Sequence, residues 1–402
     1  MKQNTSPYFP KAGQSAPAST RRQWLQATAA GMLACSTALQ AQPAGKGAGA
    51  RPAAGTPVAT VVQIVDMSAD QQDISRDLVV GARAAWQSFN AQGGLKGRPV
   101  LHRVLETDGS ADSLQAAWQA TRKDSSCVAL AGCTGNSVAA AVIGLQAQGT
   151  ADERLAHMAP WLQNADTVLD DASFPIFADH HAQIEHALKS LAVMGVRELG
   201  VVYASPAART ASKGELERTS QALKLRLVTL PAAASLTATA QQLPAQAPSI
   251  LLFMGGTPEL AQFMQGMKGR KTQHFVVAMA DANLQTLAQL GSLTSTAPVV
   301  VTQTVPLVNA GLPVVRAYRD AMVRYYDEPP TPQSLAGFIG ARYAITVLQG
   351  LDTAPTRQNV LAACQRRSPL DLGGFQVRFD GSKRSGHYVT QSMLSPDGRV
   401  VG

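Results

Sequence analysis

The sequence predicts an α/β protein of two lobes, each a parallel sheet flanked by helices. Three observations support this. Short, continuous apolar runs alternate with helical stretches along the whole body of the chain, the pattern of strands buried on both faces. About 345 residues follow an Ala/Gly/Pro-rich linker, too many for one ordinary core. Aromatic residues make up only 5% of the chain, while Ala, Val and Leu are abundant, which suits closely packed βα units.

The elements follow in order. Strands are expected at Ala59–Val65, Val100–Leu105, Val128–Ala131, Ala156–Ala159, Leu199–Tyr203, Leu225–Leu230, Ser249–Phe253, Phe275–Ala278 and Val299–Thr304. Helices are expected between them at Asp77–Phe89, Ser110–Thr121, Ser137–Gln146, Ala182–Met194, Lys213–Leu223, Pro258–Met267, Val314–Tyr326 and Pro332–Gly350. Beyond Gly374, the run Phe375–Asp380, a polar turn and His387–Met393 read as a hairpin.

The N-terminus reads as an export signal. Thr20-Arg21-Arg22-Gln23-Trp24-Leu25-Gln26 is a twin-arginine pattern. A short run of small and apolar residues from Ala27 to Leu39 follows, and Leu39-Gln40-Ala41 offers a cleavage site. The run is too short and too rich in Ala and Thr to span a bilayer. Residues 1–41 are therefore expected to leave, with Gln42–Gly55 remaining as a flexible linker. Met32-Leu33-Ala34-Cys35 loosely matches a lipoprotein box, and lipidation of Cys35 is the alternative outcome.

Charge excludes one class of partner. The whole chain carries +8, but Lys2, Lys11, Arg21 and Arg22 lie in the signal and no acid does. The remainder holds 31 basic against 27 acidic residues, and Lys46 and Arg51 of that excess lie in the linker. A folded body near +2, with no run of Lys/Arg interleaved with aromatics, is no nucleic-acid footprint.

Cysteine spacing points away from zinc, since Cys127, Cys133 and Cys364 form no C-x-x-C pair. Cys127 and Cys133 bracket a strand and would stand roughly 20 Å apart, too far for a bridge. A bridge to Cys364 is left open. His181 and Glu185 lie four apart on one helix and could face a metal, but the third ligand would have to come from elsewhere, and an Asp-capped helix start explains Asp179-His180-His181 as well. No metal and no cofactor are expected. The chain also lacks a G-x-S-x-G elbow, an H-E-x-x-H pair, a P-loop and a G-x-G-x-x-G after the first strand, so no catalytic residues are assigned.

The stretch Asp77–Val100, DLVVGARAAWQSFNAQGGLKGRPV, carries a family resemblance. Leu78, Ala82, Ala85 and Phe89 make one helical face apolar, Asn90–Gly94 ends the helix, and Leu95-Lys96-Gly97-Arg98-Pro99 turns into a strand. This resembles the first helix and second strand of the leucine/isoleucine/valine-type periplasmic binding proteins. The resemblance extends over nearly the whole mature chain. It implies the type I periplasmic binding fold, two Rossmann-like lobes joined by a multi-strand hinge that the chain crosses three times. By analogy lobe one is 56–176 with 307–371, and lobe two is 177–306 with 372–402. It also implies a monomeric extracytoplasmic binder that delivers a small-molecule ligand to an ABC permease. A sensory binding protein that docks to a membrane receptor, and an enzyme using the same cleft, are the rival functions.

Ligands of open α/β sheets bind beyond the carboxyl ends of the strands. That rule selects Ser68 after the first strand, and Cys133, Thr134, Asn136 and Ser137 after the third, where free N–H groups at a helix start attract an anion. In the resembled family the corresponding loop grips the ligand's carboxylate. Trp161 and Gln163 follow the next strand, with Trp161 either stacking on a flat ligand or simply buried. In lobe two the rule selects Tyr203, Thr257 in a loop similar to the family's "GG…PE", and Asp281, near the family's acid that holds a ligand ammonium. Asp281 could equally cap a following helix. Ala208 stands where the family usually has an aromatic, which leaves room for a larger solute.

Overall fold

The computed structural model describes residues 55–150, 153–379, 381–394 and 400–401. The expected export signal, Cys35 and all but the last residue of the expected linker lie outside them. No described helix is long and apolar enough to cross a membrane.

The first sheet, sheet I, is built from β1 (Ala59–Asp66), β2 (Val100–Thr107), β3 (Cys127–Ala131), β4 (Ala156–Met158) and β5 (Ser173–Phe174) in the order β2-β1-β3-β4-β5. All its pairings are parallel. Every residue of β1 is buried, because helices cover both faces of the sheet. Between these strands run α1 (Gln72–Ala91), α2 (Ala111–Lys123) and α3 (Asn136–Ala147). The second sheet, sheet II, takes β6 (Glu198–Tyr203), β7 (Arg226–Thr229), β8 (Ile250–Met254), β9 (Phe275–Ala278) and β10 (Val299–Gln303), parallel in the order β7-β6-β8-β9-β10. Its helices are α4 (His180–Val193), α5 (Pro206–Ala222), α6 (Leu236–Gln241), α7 (Thr257–Met267) and α8 (Leu284–Gln289).

The chain then returns to sheet I as α9 (Pro313–Tyr325), α10 (Pro332–Gln349) and α11 (Arg357–Gln365). Their buried faces join one core with α1, β3 and β4. Backbone meets backbone where α1 crosses α10. A Cβ on Gly81 would lie 1.7 Å from the Ser334 carbonyl oxygen, and one on Gly337 would lie 2.0 Å from that of Leu78. Only glycine allows this approach.

The tail differs from the expected hairpin. β11 (Leu370–Asp371) pairs with β12 (Gln376–Val377), whereas β13 (Thr390–Leu394) adds antiparallel to β10 of sheet II and is followed by β14 (Val400–Val401). The two tail segments alternate correctly, but each finds a partner elsewhere. Phe375, Val377 and Phe379, placed with the second lobe from sequence, pack into the core of sheet I. The chain thus passes between the two sheets after β5, after β10 and after β12. The crossings are packed closely: a Cβ on Gly386 would lie 2.0 Å from the Phe177 carbonyl oxygen, and the Ser385 amide donates to the Pro175 carbonyl at 3.1 Å.

Several boundaries also move. α5 begins seven residues before the expected Lys213, because Ser205 caps it through the Ala208 amide and Pro206 sits in its first turn. α1 begins five residues before Asp77, through a polar turn without apolar periodicity. Strand β5 and helices α6 and α11 are additional to the sequence reading. Cys127, Cys133 and Cys364 are all buried and free. Burial pushes the Cys133 thiol up to about 12, so it stays protonated and inert.

Candidate functional site

The loops at the carboxyl ends of sheet I and sheet II face each other, and the predicted site residues divide between this junction and the hinge. On the sheet I side the loop after β3 is tightly built in. The Thr134 amide donates to the Ile64 carbonyl at 3.0 Å, extending the strand by one bridge, and its hydroxyl donates to the Gly132 carbonyl at 3.1 Å. Thr134 and Cys133 are fully buried. Their polar atoms are spent inside the sheet rather than offered to a solute. Asn136 pins the neighbouring loop, accepting from the amides of Gln163 at 2.7 Å and Asn164 at 3.1 Å. Ser137 is exposed, and its hydroxyl lies 3.4 Å from an Asp66 carboxylate oxygen. Asp66 also accepts from the Ser68 amide at 2.9 Å.

Trp161 is buried, tilted against Phe177 with centroids 5.5 Å apart, and its indole N–H has no partner among the described residues. Gln163 lies fully buried in a hinge cluster. Its Oε1 accepts from Gln183 Nε2. The Gln183 Oε1 accepts in turn from the Ala280 amide and the Thr302 hydroxyl, both at 2.8 Å. Gln333 donates from the start of α10 to the carbonyls of Ala280 at 3.2 Å and Ala282 at 3.4 Å, while its own Oε1 is unpartnered and buried. These glutamines tie the crossings to the loop that carries Asp281.

On the sheet II side, Thr257 is buried at the start of α7 and accepts from the Asn283 amide at 3.0 Å. Asn283 caps α8 through its Oδ1. Asp281 pairs with His180, Nε2 to Oδ2 at 2.6 Å, and its other carboxylate oxygen is unpartnered. Burial works against charge on His180, but the charge of Asp281 and the hydrogen bond to it prevail and raise the imidazole's pKa. Tyr203 is half-buried, with the Arg209 guanidinium 5.9 Å from its ring centre. A cavity of about 770 Å³ opens beside it, lined by Tyr203, Ser205, Arg209, Leu230, Leu236 and Glu259. Ala207 and Ala208 are not among the residues that line it.

Two acids of α1 complete the junction, and the sequence reading gave neither a role. Asp77 accepts from Asn283 Nδ2 at 3.0 Å, reaching from a sheet I helix to a sheet II loop, and from the Thr331 hydroxyl at 2.7 Å. Burial pushes its carboxyl up to about 6. Asp73 lies beside Thr257 and Asp281, with neither carboxylate oxygen in a well-formed hydrogen bond. Burial raises its pKa too, and the nearby charge of Asp281 adds to the rise.

The His181–Glu185 pair does not converge. His181 faces Glu215 at 3.7 Å, and Glu185 pairs with Lys189 at 2.6 Å. Among the described residues no group of three His, Cys, Asp or Glu side chains is placed to hold a metal.

Two parallel sheets with opposed strand ends and three crossings define the type I binding-protein architecture. The profile of the Periplasmic binding protein family matches residues 59–394, and the chain belongs to that family. No curated protein sequence matches the chain. Among solved structures, the chain is similar to an extracellular ligand-binding receptor from Verminephrobacter eiseniae. The two are 19% identical with a TM-score of 0.77, over 86% of this chain and 99% of that one. It is also similar to a fatty acid ABC transporter substrate-binding protein from Thermomonospora curvata (13%, TM-score 0.73, 88% and 92% covered). A third similar structure is a branched chain amino acid ABC transporter from Thermus thermophilus with bound valine (13%, TM-score 0.69, 85% and 94% covered). At these identities the likeness establishes the fold, and the ligands of the neighbours differ, a fatty acid in one and valine in another.

Proposed function

We propose that the protein is an extracytoplasmic solute-binding protein, exported by the twin-arginine route, that closes two lobes over a small polar solute and delivers it to an ABC permease. Sheets I and II with their helices are the lobes, and the three crossings are the hinge. The observation that carries this reading is the junction itself. Loops from the carboxyl ends of both sheets meet there, and Asp77 on one side holds Asn283 on the other at 3.0 Å. Closure of this kind draws its energy from contacts that both lobes make at once. The family is one of solute-binding proteins, and the reading includes no chemical step.

Thermal-shift screening of the purified chain against amino acids, organic and aromatic acids, amines and neutral polar solutes tests it. A ligand present at a hundred times its Kd adds about 2.7 kcal/mol of apparent stability, a clear rise in Tm. Turnover of a bound compound, or no stabilisation by any class, would overturn the reading.

A further inference from the structure

We infer that the solute presents an amine and carries no carboxylate, Asp66 being the residue that keeps a carboxylate out. This rests on the solute-binding reading above and deepens it. The start of α3 is where lobe one would draw an anion, through free N–H groups at a helix N-terminus. Asp66 already stands there. It is 2% exposed at the end of β1 and lies directly under the turn: a Cβ on Gly135 would fall 2.7 Å from the Asp66 Cβ and 3.1 Å from its Oδ2. The same carboxylate receives the Ser68 amide at 2.9 Å, with the Ser137 hydroxyl 3.4 Å away. Thr134, the other hydroxyl of the loop, is turned to Gly132. A second carboxylate arriving at this turn would meet the carboxylate of Asp66, which is repulsive.

On the opposite side Arg209 lines the cavity with its guanidinium over the Tyr203 ring, and the cations beside Asp281 and the Trp161 loop are already engaged. Arg384 is engaged by Asp179 at 3.6 Å and by the carbonyls of Leu162 and Asn164 at 3.2 and 2.7 Å. His180 is spent on one oxygen of Asp281. Acceptors without donors gather here instead. Among the described residues neither oxygen of Asp73 makes a well-formed hydrogen bond, and the second oxygen of Asp281 and the Oε1 of Gln333, a side chain 1% exposed, have no partner. Asp73 comes from the sheet I side and Asp281 from sheet II, so one group between them would touch both lobes. An ammonium has three N–H donors and the charge that these acids lack.

Matched ligands test this by calorimetry on the full chain. Isobutylamine and phenethylamine are the probes. L-valine and L-phenylalanine add a carboxylate to each, and 3-methylbutyrate and 3-phenylpropionate keep the carboxylate without the amine. The amines should bind at least tenfold tighter than the amino acids, and the acids least. Asp73→Asn should weaken the amines about tenfold. Asp66→Asn should raise amino-acid affinity relative to the matched amine about tenfold. If that variant fails to fold by circular dichroism, the wild-type ratio and Asp73→Asn decide. An amino acid or acid binding as tightly as its amine, or an Asp73→Asn variant that binds the amines unchanged, overturns the inference. Binding of only an acid or a neutral solute in the broader thermal screen overturns it too, while leaving the solute-binding function standing.

Discussion

Asp77 shows how one side chain can couple closure to pH. It accepts two hydrogen bonds, yet burial outweighs them and its pKa rises to about 6. A carboxyl raised in the fold prefers to be protonated there. Its contribution to stability is therefore complete below the ordinary value of 3.8 and is lost as pH rises through about 6. Between pH 4 and pH 8 this group should cost the folded state on the order of 2–3 kcal/mol. Asp77→Asn keeps the shape and removes the titration. Urea midpoints of wild type and variant, compared at each pH, should diverge over that window, the variant gaining relative stability as pH rises. Parallel profiles would show that Asp77 does not titrate there.

At the scale of elements, the contact of α1 with α10 depends on two glycines. Gly337→Ala drives a methyl group into the Leu78 carbonyl, and the helices must separate to admit it. The expected loss is about 3 kcal/mol, read from urea unfolding. Gly144→Ala is the contrasting case. It lies inside α3 with nothing within 4 Å of an added Cβ, so alanine should stabilise by about 0.5–1 kcal/mol through helix propensity. Equal effects at both sites would mean that the crossing is not close. The same elements show what the sequence could reveal. β1, β3 and β8 were legible because buried parallel strands are unbroken apolar runs. The early turns of α1 and α5 were not, since Gln72–Arg76 is mostly polar and uncapped, and Pro206–Ser212 holds only proline, alanine and polar residues behind the Ser205 cap. The tail strands were found by alternation, but the partners of β12 and β13 are set by tertiary contact. Thr257 and Asp281 came from the strand-end rule. Asp73, Gln183 and Gln333 did not, because they reach the junction from helix starts, where no periodicity marks them. Thr134 was singled out by its position after β3, but a β-bridge to Val65 takes up its backbone and Gly132 takes its hydroxyl.

For the molecule as a whole, the balance between open and closed forms should turn on one cross-junction hydrogen bond. Asn283 caps α8 with its oxygen and gives its Nδ2 to Asp77. Asn283→Asp preserves the first role, since aspartate caps a helix as well as asparagine does. It reverses the second, setting two carboxylates against each other where a donor met an acceptor. Like charges about 4 Å apart repel by about 4 kcal/mol at an effective dielectric of 20, and solvent entry would relieve part of that. A remaining penalty of 1.4 kcal/mol on closure already lowers apparent solute affinity about tenfold, because the solute binds only the closed fraction. The variant should therefore keep nearly the wild-type melting temperature, show a larger radius of gyration by small-angle scattering, and bind its solute at least tenfold more weakly at pH 8. Below pH 6, where Asp77 takes up its proton, the defect should shrink. Unchanged affinity and scattering at pH 8 would place the closing force elsewhere, in the glutamine cluster of the hinge.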